Sequence, residues 1–414
     1  MSRVISDAQV DMTQPNFNAF AAGQYKFNYL HDIMVSGVEY KDALEILSSI
    51  NGSLYDFLFA GPSIQITSTA TTATIVGGTV TGLLALAWNG TAYVPSTLID
   101  RIDIPAAAAY QAFTTPSTAD DVALLQSALL GQDVVFGSDF ADSLYGYGPS
   151  TSFSGGGGND LIIATAGINT AYFDGNASDY TLRVAAGASS VSVTDRIGSD
   201  GTDSLVNIQY MKFANQTLET EWLVKTAALS ASQVVDLTQL YVASFNRAPD
   251  ALGLAYWGSQ LKNGMSLEAI AKSFFAQPEA AAAYPSSQST ETFITKVYNN
   301  VLNRGPDAGG LAYWSAELGS GHISKDSFLL AIINGARTSG SSADAQILAN
   351  KELVGAHFGL TQGLNNLAWA GLVMKSVDAT AASVTAANAQ TDAFAGVAAS
   401  GGTELVVQIV GIAP

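Results

Sequence analysis

A nine-residue repeat constrains this 414-residue chain more than any other feature. In register it reads GSDFADSLY from Gly137, GYGPSTSFS from Gly146, GGGGNDLII from Gly155 and ATAGINTAY from Ala164. Every ninth residue from Leu144 is apolar, through Phe153 and Ile162 to Ala171. A glycine-rich turn followed by a short strand cannot bury its apolar side alone, so successive units must stack. The pattern predicts a parallel coil with a narrow core of these inward residues. Consecutive turns emerge on opposite edges, so turns sharing an edge lie two units apart. Asp142 and Asp160 hold that spacing on one edge; Asp133, Thr151 and Asn169 hold it on the other.

The unit resembles the GGxGxDxUx nonapeptide of RTX, or hemolysin-type, calcium-binding repeats. Calcium takes about six to eight hard oxygen ligands, many of them backbone carbonyls. Glycines let the turn adopt positive φ and point carbonyls inward without a Cβ clash. The resemblance implies one calcium ion held by the Asp142 and Asp160 carboxylates with carbonyls near Gly137, Asp139, Gly156 and Gly158. On the other edge Thr151 and Asn169 depart from the aspartate rule, so that edge is expected to be empty or weak. Asp195, Asp200 and Asp203, in DRIGSDGTDSL, read as turn residues, with a second site as the alternative.

Around the coil the character of the chain changes. Residues 1–130 read as a mixed, β-rich domain. Within it Tyr40–Ile50 (YKDALEILSSI) has helical spacing, Ser63–Ile104 has strand and turn chemistry, and Ala119–Leu130 returns to helix. Residues 131–222 read as the coil and the strands that close it, 228–395 as a helical domain, and 396–414 as a tail. The expected fold class is therefore a multidomain α+β protein: a β-rich N-terminal domain, a short RTX parallel β-roll with capping strands, then an all-α C-terminal domain.

The helical part contains a second repeat. LYVASFNRAPDALGLAYW (Leu240–Trp257) recurs as VYNNVLNRGPDAGGLAYW (Val297–Trp314), with 11 of 18 positions identical at an offset of 57. The NRxPDAxGLAYW motif resembles a helical module of unknown function that accompanies RTX repeats in secreted proteins of Gram-negative bacteria, and is similar to phycobilisome linker domains. Pro249 and Pro306 suit a first helical turn, Asp250 and Asp307 suit the positive end of a helix dipole, and Gly264 suits a helix end. Tyr256, Trp257, Tyr313 and Trp314 are expected in the core. The alternative reading makes Arg247, Arg304, Trp257 and Trp314 a partner or glycan surface. Similarity to the anchoring end of some surface-layer proteins implies contact with cell-surface polysaccharide.

Acids outnumber bases 35 to 17, for a net charge of −18, and no basic run is present. Nucleic acid is thereby excluded as an expected partner. With no cysteine there are neither disulfides nor thiolate metal sites. His31, His322 and His357 show no HExxH spacing, and neither a GxSxG elbow nor a GK[ST] phosphate loop occurs. A glycosidase-type carboxylate pair leaves no local signature; the expectation is nevertheless that the chain is not an enzyme.

The first twenty residues lack a basic start followed by an apolar stretch, so no cleavable signal is expected there. The longest apolar run, LVVQIVGIAP after Glu404, is shorter than the roughly 20 residues of a membrane span. These features lead to the expectation of a secreted calcium-binding structural protein. It would leave through the type I secretion machinery on an uncleaved signal in the tail, and assemble with itself at the cell surface as a surface-layer, filament or matrix subunit. A soluble carbohydrate-binding adhesin is the alternative, and a secreted hydrolase a weaker one.

Overall fold

The computed structural model describes residues 1–17, 25–35, 38–50, 53–69, 73–338, 342–400 and 402–412. The last residues of the apolar tail, Ala413 and Pro414, lie outside them, as do residues 18–20 of the segment read for a signal. Strands and helices are mixed, and the chain divides into two compact units. The first comprises Met1–Gly175 and Gly198–Leu218; the second comprises Asn176–Ile197 and Glu219–Pro414.

The first unit opens with β1 (Arg3–Ser6), β2 (Tyr25–Val35), β3 (Val38–Ile50), β4 (Ser53–Gly61), β5 (Ser63–Ser68), β6 (Ala73–Trp88) and β7 (Tyr93–Pro105). Helices α1 (Ala106–Thr114) and α2 (Ala119–Ala128) follow. Strands β2, β3, β4, β6 and β7 form an antiparallel meander, with β5 also on β6. The apolar side of α1 (Ala106, Ala109, Ala112 and Phe113) is buried, and Phe113 meets Phe59 of β4 edge-on at 4.8 Å.

The helical spacing of Tyr40–Ile50 misled: this stretch is all of β3 but its first two residues. Tyr40, Leu44 and Ile46 are buried at strand-compatible even positions, and β3 pairs along its length with β2 on one side and β4 on the other. Two partner strands override a local preference for helix.

Beyond α2 the chain winds through β8 (Gln132–Phe136), β9 (Ser143–Gly146), β10 (Ser150–Ser154), β11 (Leu161–Ala164) and β12 (Thr170–Tyr172). Strands β8, β10 and β12 pair in parallel, 18 residues apart, and so do β9 and β11. Leu144, Phe153, Ile162 and Ala171 are buried to 1% exposure or less, as the period requires. The polypeptide leaves this unit at Gly175 and returns at Gly198. Between these points lie β13 (Tyr180–Ala185) and β14 (Ser190–Asp195), which belong to the second unit. After the return, β15 (Thr202–Val206) pairs in parallel with β11, and β16 (Tyr210–Lys212) with β12. The N-terminus supplies a further layer: β1 runs parallel to β8, and Asp11 bridges to Ser143, so Val4 and Met12 join the buried apolar residues.

The second unit holds α3 (Thr220–Ala227), α4 (Ala231–Phe245), α5 (Ala251–Lys262), α6 (Leu267–Phe275), α7 (Pro278–Ala283), α8 (Thr290–Leu302) and α9 (Ala308–Ser320). These are followed by α10 (Lys325–Thr338), α11 (Ser342–Ala356), α12 (Leu367–Met374) and α13 (Ala381–Ala399). Strands accompany these helices in the same unit. The hairpin β13–β14 is joined by β18 (Val406–Val410), which lies parallel to β13; β17 (Thr217–Glu219), whose first two residues belong to the first unit, precedes α3. Val406 packs in one buried cluster with Val242, Phe358 and Met374, so the tail is part of the folded core.

Candidate functional site

Buried aspartates form a ladder along one edge of the coil. The strand register sets Leu161 beside Ser143 and beside Ser204, which stacks the preceding residues Asp142, Asp160 and Asp203. Each is at most 3% exposed. The backbone N–H of Asp142 donates to Asp160 Oδ1 at 2.8 Å, and that of Asp160 to Asp203 Oδ1 at 2.9 Å. At the start of the ladder the Val10 N–H donates to Asp142 Oδ1 at 2.6 Å.

The opposite edge uses the same device with different chemistry. Ser2 N–H donates to Asp133 Oδ1 at 3.2 Å, Thr151 N–H to Asn169 Oδ1 at 2.9 Å, and Asn169 N–H to Gln209 Oε1 at 2.8 Å. At each of these places but Thr151 a side-chain oxygen satisfies a backbone donor; the Thr151 hydroxyl oxygen is buried and accepts no hydrogen bond among the described residues. The amides satisfy their donors without adding charge. Asp133 Oδ2 on this edge is also buried without a partner among the described residues, and the edges differ in how many carboxylates they bury: one here against three on the other.

The second carboxylate oxygens distinguish the aspartates. Asp142 Oδ2 accepts from the Ser138 N–H at 2.6 Å and from the Ser138 hydroxyl at 2.9 Å. Asp160 Oδ2 is buried and accepts no hydrogen bond among the described residues. Burial, above all, pushes the Asp160 carboxyl up to about 6; the Asp142 N–H opposes the rise, and the charges of Asp142 and Asp200 add to it. An orphaned carboxylate oxygen in a closed place is costly unless a cation or proton meets it.

Gly156 and Gly158 have φ of +91° and +103°. A Cβ on Gly156 would stand 2.0 Å from the Ser138 carbonyl oxygen, and one on Gly155 would stand 2.0 Å from Asp160 Oδ2. Gly137 lies between the Gly155 carbonyl and Asp142 Oδ2, at 2.2 and 2.6 Å from where its Cβ would be. Asp139 is exposed in the same turn, its carbonyl 3.5 Å from the Cβ position of Gly157. The turns 137–142 and 155–160 are thus stacked, and Gly137, Asp139, Asp142, Gly156, Gly158 and Asp160 are brought together. Among the described residues no three Asp, Glu, His or Cys side chains converge as a metal group. The donor set, hard carboxylate and carbonyl oxygens with one buried oxygen unpaired, fits calcium, with carbonyls supplying most of the ligands.

Reading Asp203 as a turn residue missed its place in the ladder. The signal was available: GSDGTDSLV from Gly198 has the glycines, the aspartate and the apolar residue of the nonapeptide. The insertion that carries β13 and β14 hides it, stretching the spacing from Asp160 to 43 residues.

The tandem motif builds two equivalent helix junctions. Asn246 and Asn303 end α4 and α8 in the left-handed conformation, at φ of 52° and 56°. Asp250 and Asp307 cap α5 and α9, accepting from the N–H groups of Gly253 at 2.9 Å and Gly310 at 2.7 Å. Pro249 and Pro306 consequently sit just outside the helices, not in their first turns. Gly264, at φ +96°, follows the end of α5 as expected.

The motif arginines differ. Arg247 is 7% exposed and bonds Glu279 at 2.6 and 2.8 Å and Asp250 at 2.9 Å. Arg304 is half-exposed and bonds Asp344 at 3.0 and 2.7 Å. Trp257 and Trp314 are partly buried, meeting Phe274 at 5.3 Å and Phe328 at 5.2 Å. Tyr256 and Tyr313, expected in the core, are exposed. They precede the tryptophans by one residue and so point to another face of the helix.

Residues 271–338 match the family described as a domain of unknown function (DUF4214). The matched stretch is a minor part of the chain and contains the second copy of the tandem motif but not the first. No curated protein matches the chain.

Proposed function

We propose that this chain is a calcium-binding structural protein of the RTX type, whose coil sets fully only when calcium reaches the Asp142–Asp160 edge. The observation that carries this reading is the buried, unpartnered Asp160 Oδ2 beside a stack of glycine turns. Asp142, Asp160 and carbonyls of the turns containing Gly137, Asp139, Gly156 and Gly158 would hold the ion. Calcium would supply positive charge where the coil buries several carboxylates, and so add its binding free energy to the folded state. Asp203, next in the ladder, extends the acidic edge by one turn.

In this proposal the protein is exported by type I machinery and assembles with itself, against cell-surface polysaccharide, as a surface-layer, filament or matrix subunit. Extracellular calcium modules bind at about 10⁻⁴ to 10⁻³ M, so the edge would fill outside the cell and stay empty within it. A transporter-read signal in the tail requires that β18 be unpaired during export, because Val407 and Ile409 are buried once folded. Calcium-delayed folding provides that interval. Phe136, Phe140, Ile168 and Tyr172, all exposed on coil strands and turns, support self-association.

Light scattering and negative-stain imaging across a calcium titration test the assembly part. Ordered growth in the wild type, absent from Asp142→Ala/Asp160→Ala, supports it; monodisperse particles at every calcium level refute it. Export is tested separately: appearance of the protein in the medium of a strain lacking its transporter would sink that part.

A further inference from the structure

We propose that a cleft in the first helical repeat, between α4, α5 and the turn from α6 into α7, binds one ring of a neutral saccharide. The cleft encloses about 220 Å³ and is lined by Tyr241, Arg247, Asp250, Trp257, Phe274 and Glu279, among others. Drug-sized ligands occupy roughly 300–1,000 Å³, so this space suits a single ring.

The two repeats differ at one informative place. Tyr298 and Trp314 in the second repeat stand 57 residues after Tyr241 and Trp257 in the first. In the second repeat the Trp314 indole N–H donates to the Tyr298 hydroxyl at 3.0 Å, so the pair satisfies itself. In the first repeat that bond is not made. Among the described residues neither the Tyr241 hydroxyl nor the Trp257 indole N–H has a hydrogen-bond partner, although Tyr241 is only 3% exposed. Neither atom is among the fully buried unpartnered ones, so both open onto the cleft, where Tyr O–H and Trp N–H groups take a hydrogen-bond partner from outside the protein. Both line the cleft, and a ligand hydroxyl supplies what they lack.

Charge and shape narrow the ligand further. The Arg247 guanidinium faces two carboxylates, Asp250 and Glu279, and already lies 5.1 Å from the Tyr241 ring centre and 5.4 Å from that of Phe245. One guanidinium against two carboxylates leaves the rim net negative, which disfavours acidic sugars and phosphate. The cation place against the rings is taken by the protein itself. What remains is Glu279, a partly exposed carboxylate that can accept from a hydroxyl beside Arg247, and the partly exposed Trp257 ring for a C–H face, backed by the buried Phe274 at 5.3 Å. Gly253 keeps the gap open: a Cβ there would stand 2.5 Å from the Tyr241 hydroxyl oxygen and 2.7 Å from Asp250 Oδ2. The cleft contains none of the calcium-edge residues, so this proposal stands or falls apart from the calcium reading.

The test is titration of the full chain, with and without calcium, by tryptophan fluorescence and saturation-transfer NMR. The probes are methyl glycosides of neutral hexoses and N-acetylhexosamines, with methyl glucuronide and tetramethylammonium for comparison. At least one neutral glycoside is expected to bind saturably, with the same affinity in both calcium conditions. Tyr241→Phe removes only the hydroxyl, and Trp257→Phe removes the indole N–H together with part of the ring; each is expected to weaken binding about tenfold. Trp314→Phe is expected to leave it unchanged. Should Trp257→Phe fail to fold, Tyr241→Phe, with its ring retained, still decides the matter. No saturable response to any neutral glycoside, equal affinity in Tyr241→Phe, or a response to glucuronide or tetramethylammonium alone would overturn the proposal.

Discussion

Asp142 and Asp160 are 18 residues apart in the chain and joined by one hydrogen bond, the Asp142 N–H donating to Asp160 Oδ1 at 2.8 Å. The same carboxylate carries an oxygen with no partner among the described residues. One side chain therefore has two separable duties, satisfying a backbone donor and presenting a buried negative oxygen. Asp160→Asn keeps the first and loses the second. In calcium-free buffer its urea midpoint is expected to equal or exceed the wild-type value, while Asp160→Ala, which strands the Asp142 N–H, is expected to lose about 1–3 kcal/mol. A calcium-free Asp160→Asn as unstable as Asp160→Ala contradicts the division of duties.

The raised carboxyl of Asp160 gives a pH signature. Its folded pKa of about 6 exceeds the unfolded value near 3.9, so between those values the native state binds more protons than the unfolded one. Without calcium this group makes stability fall as pH rises from about 4 to about 6, and Asp160→Asn removes that component of the slope. Calcium competes with the proton, so calcium affinity is expected to fall as pH drops below about 6. Thermal melts across this range, with and without calcium, measure both.

Lys351 titrates in the opposite sense. It is 1% exposed, its Nζ donates to the Asn300 carbonyl oxygen at 2.5 Å, and burial lowers its pKa to about 8. From about pH 8 to about 10.4 the unfolded chain binds the extra proton, so this lysine makes stability rise with pH in that window. Lys351→Met is expected to flatten the rise, as read from denaturant midpoints; an unchanged slope shows that Lys351 is not its source.

The two motif arginines predict unequal losses. Arg247→Ala removes a buried guanidinium packed on Tyr241 and Phe245 and leaves the partly exposed Glu279 and Asp250 unpaired, and is expected to cost about 2–3 kcal/mol. Arg304 is half-exposed, and Arg304→Ala is expected to cost roughly 1–2 kcal/mol through the buried Asp344 carboxylate it pairs. Equal losses on chemical unfolding contradict the assigned burial.

Arg196 ties the tail down. Its guanidinium donates to the carbonyl oxygens of Ala398 at 2.6 Å, Glu404 at 2.7 Å and Ser178. Arg196→Ala is expected to speed amide exchange in Val406–Val410 by at least about tenfold, and Ile409→Ala to lower stability by roughly 2–4 kcal/mol. Wild-type exchange in the first variant shows that the tail is held by other contacts.

Periodicity marked the buried positions between Leu144 and Ala171. The ninefold apolar positions became the buried row from Leu144 to Ala171, and the 18-residue spacing became the Asp142–Asp160 hydrogen bond. Three things were hidden for physical reasons. Val4, Val10 and Met12 complete the coil from 131 or more residues away, and no local pattern announces so distant a pairing. Asp203 was masked by an insertion. Tyr40–Ile50 has apolar spacing compatible with helix as well as strand, and only its two strand neighbours decide between them. In the helices the capping aspartates were readable one residue at a time, whereas the unequal surroundings of Arg247 and Arg304 arise from Glu279 and Asp344, which lie outside the repeated motif.

Calorimetric titration of calcium into the metal-free full chain, beside Asp160→Asn, tests the calcium assignment most directly. Saturable binding at about 10⁻⁴ to 10⁻³ M, accompanied by a raised melting temperature and abolished by Asp160→Asn, is the predicted result. Absence of binding heat and of any melting shift in the wild type, or wild-type binding in Asp160→Asn, contradicts it.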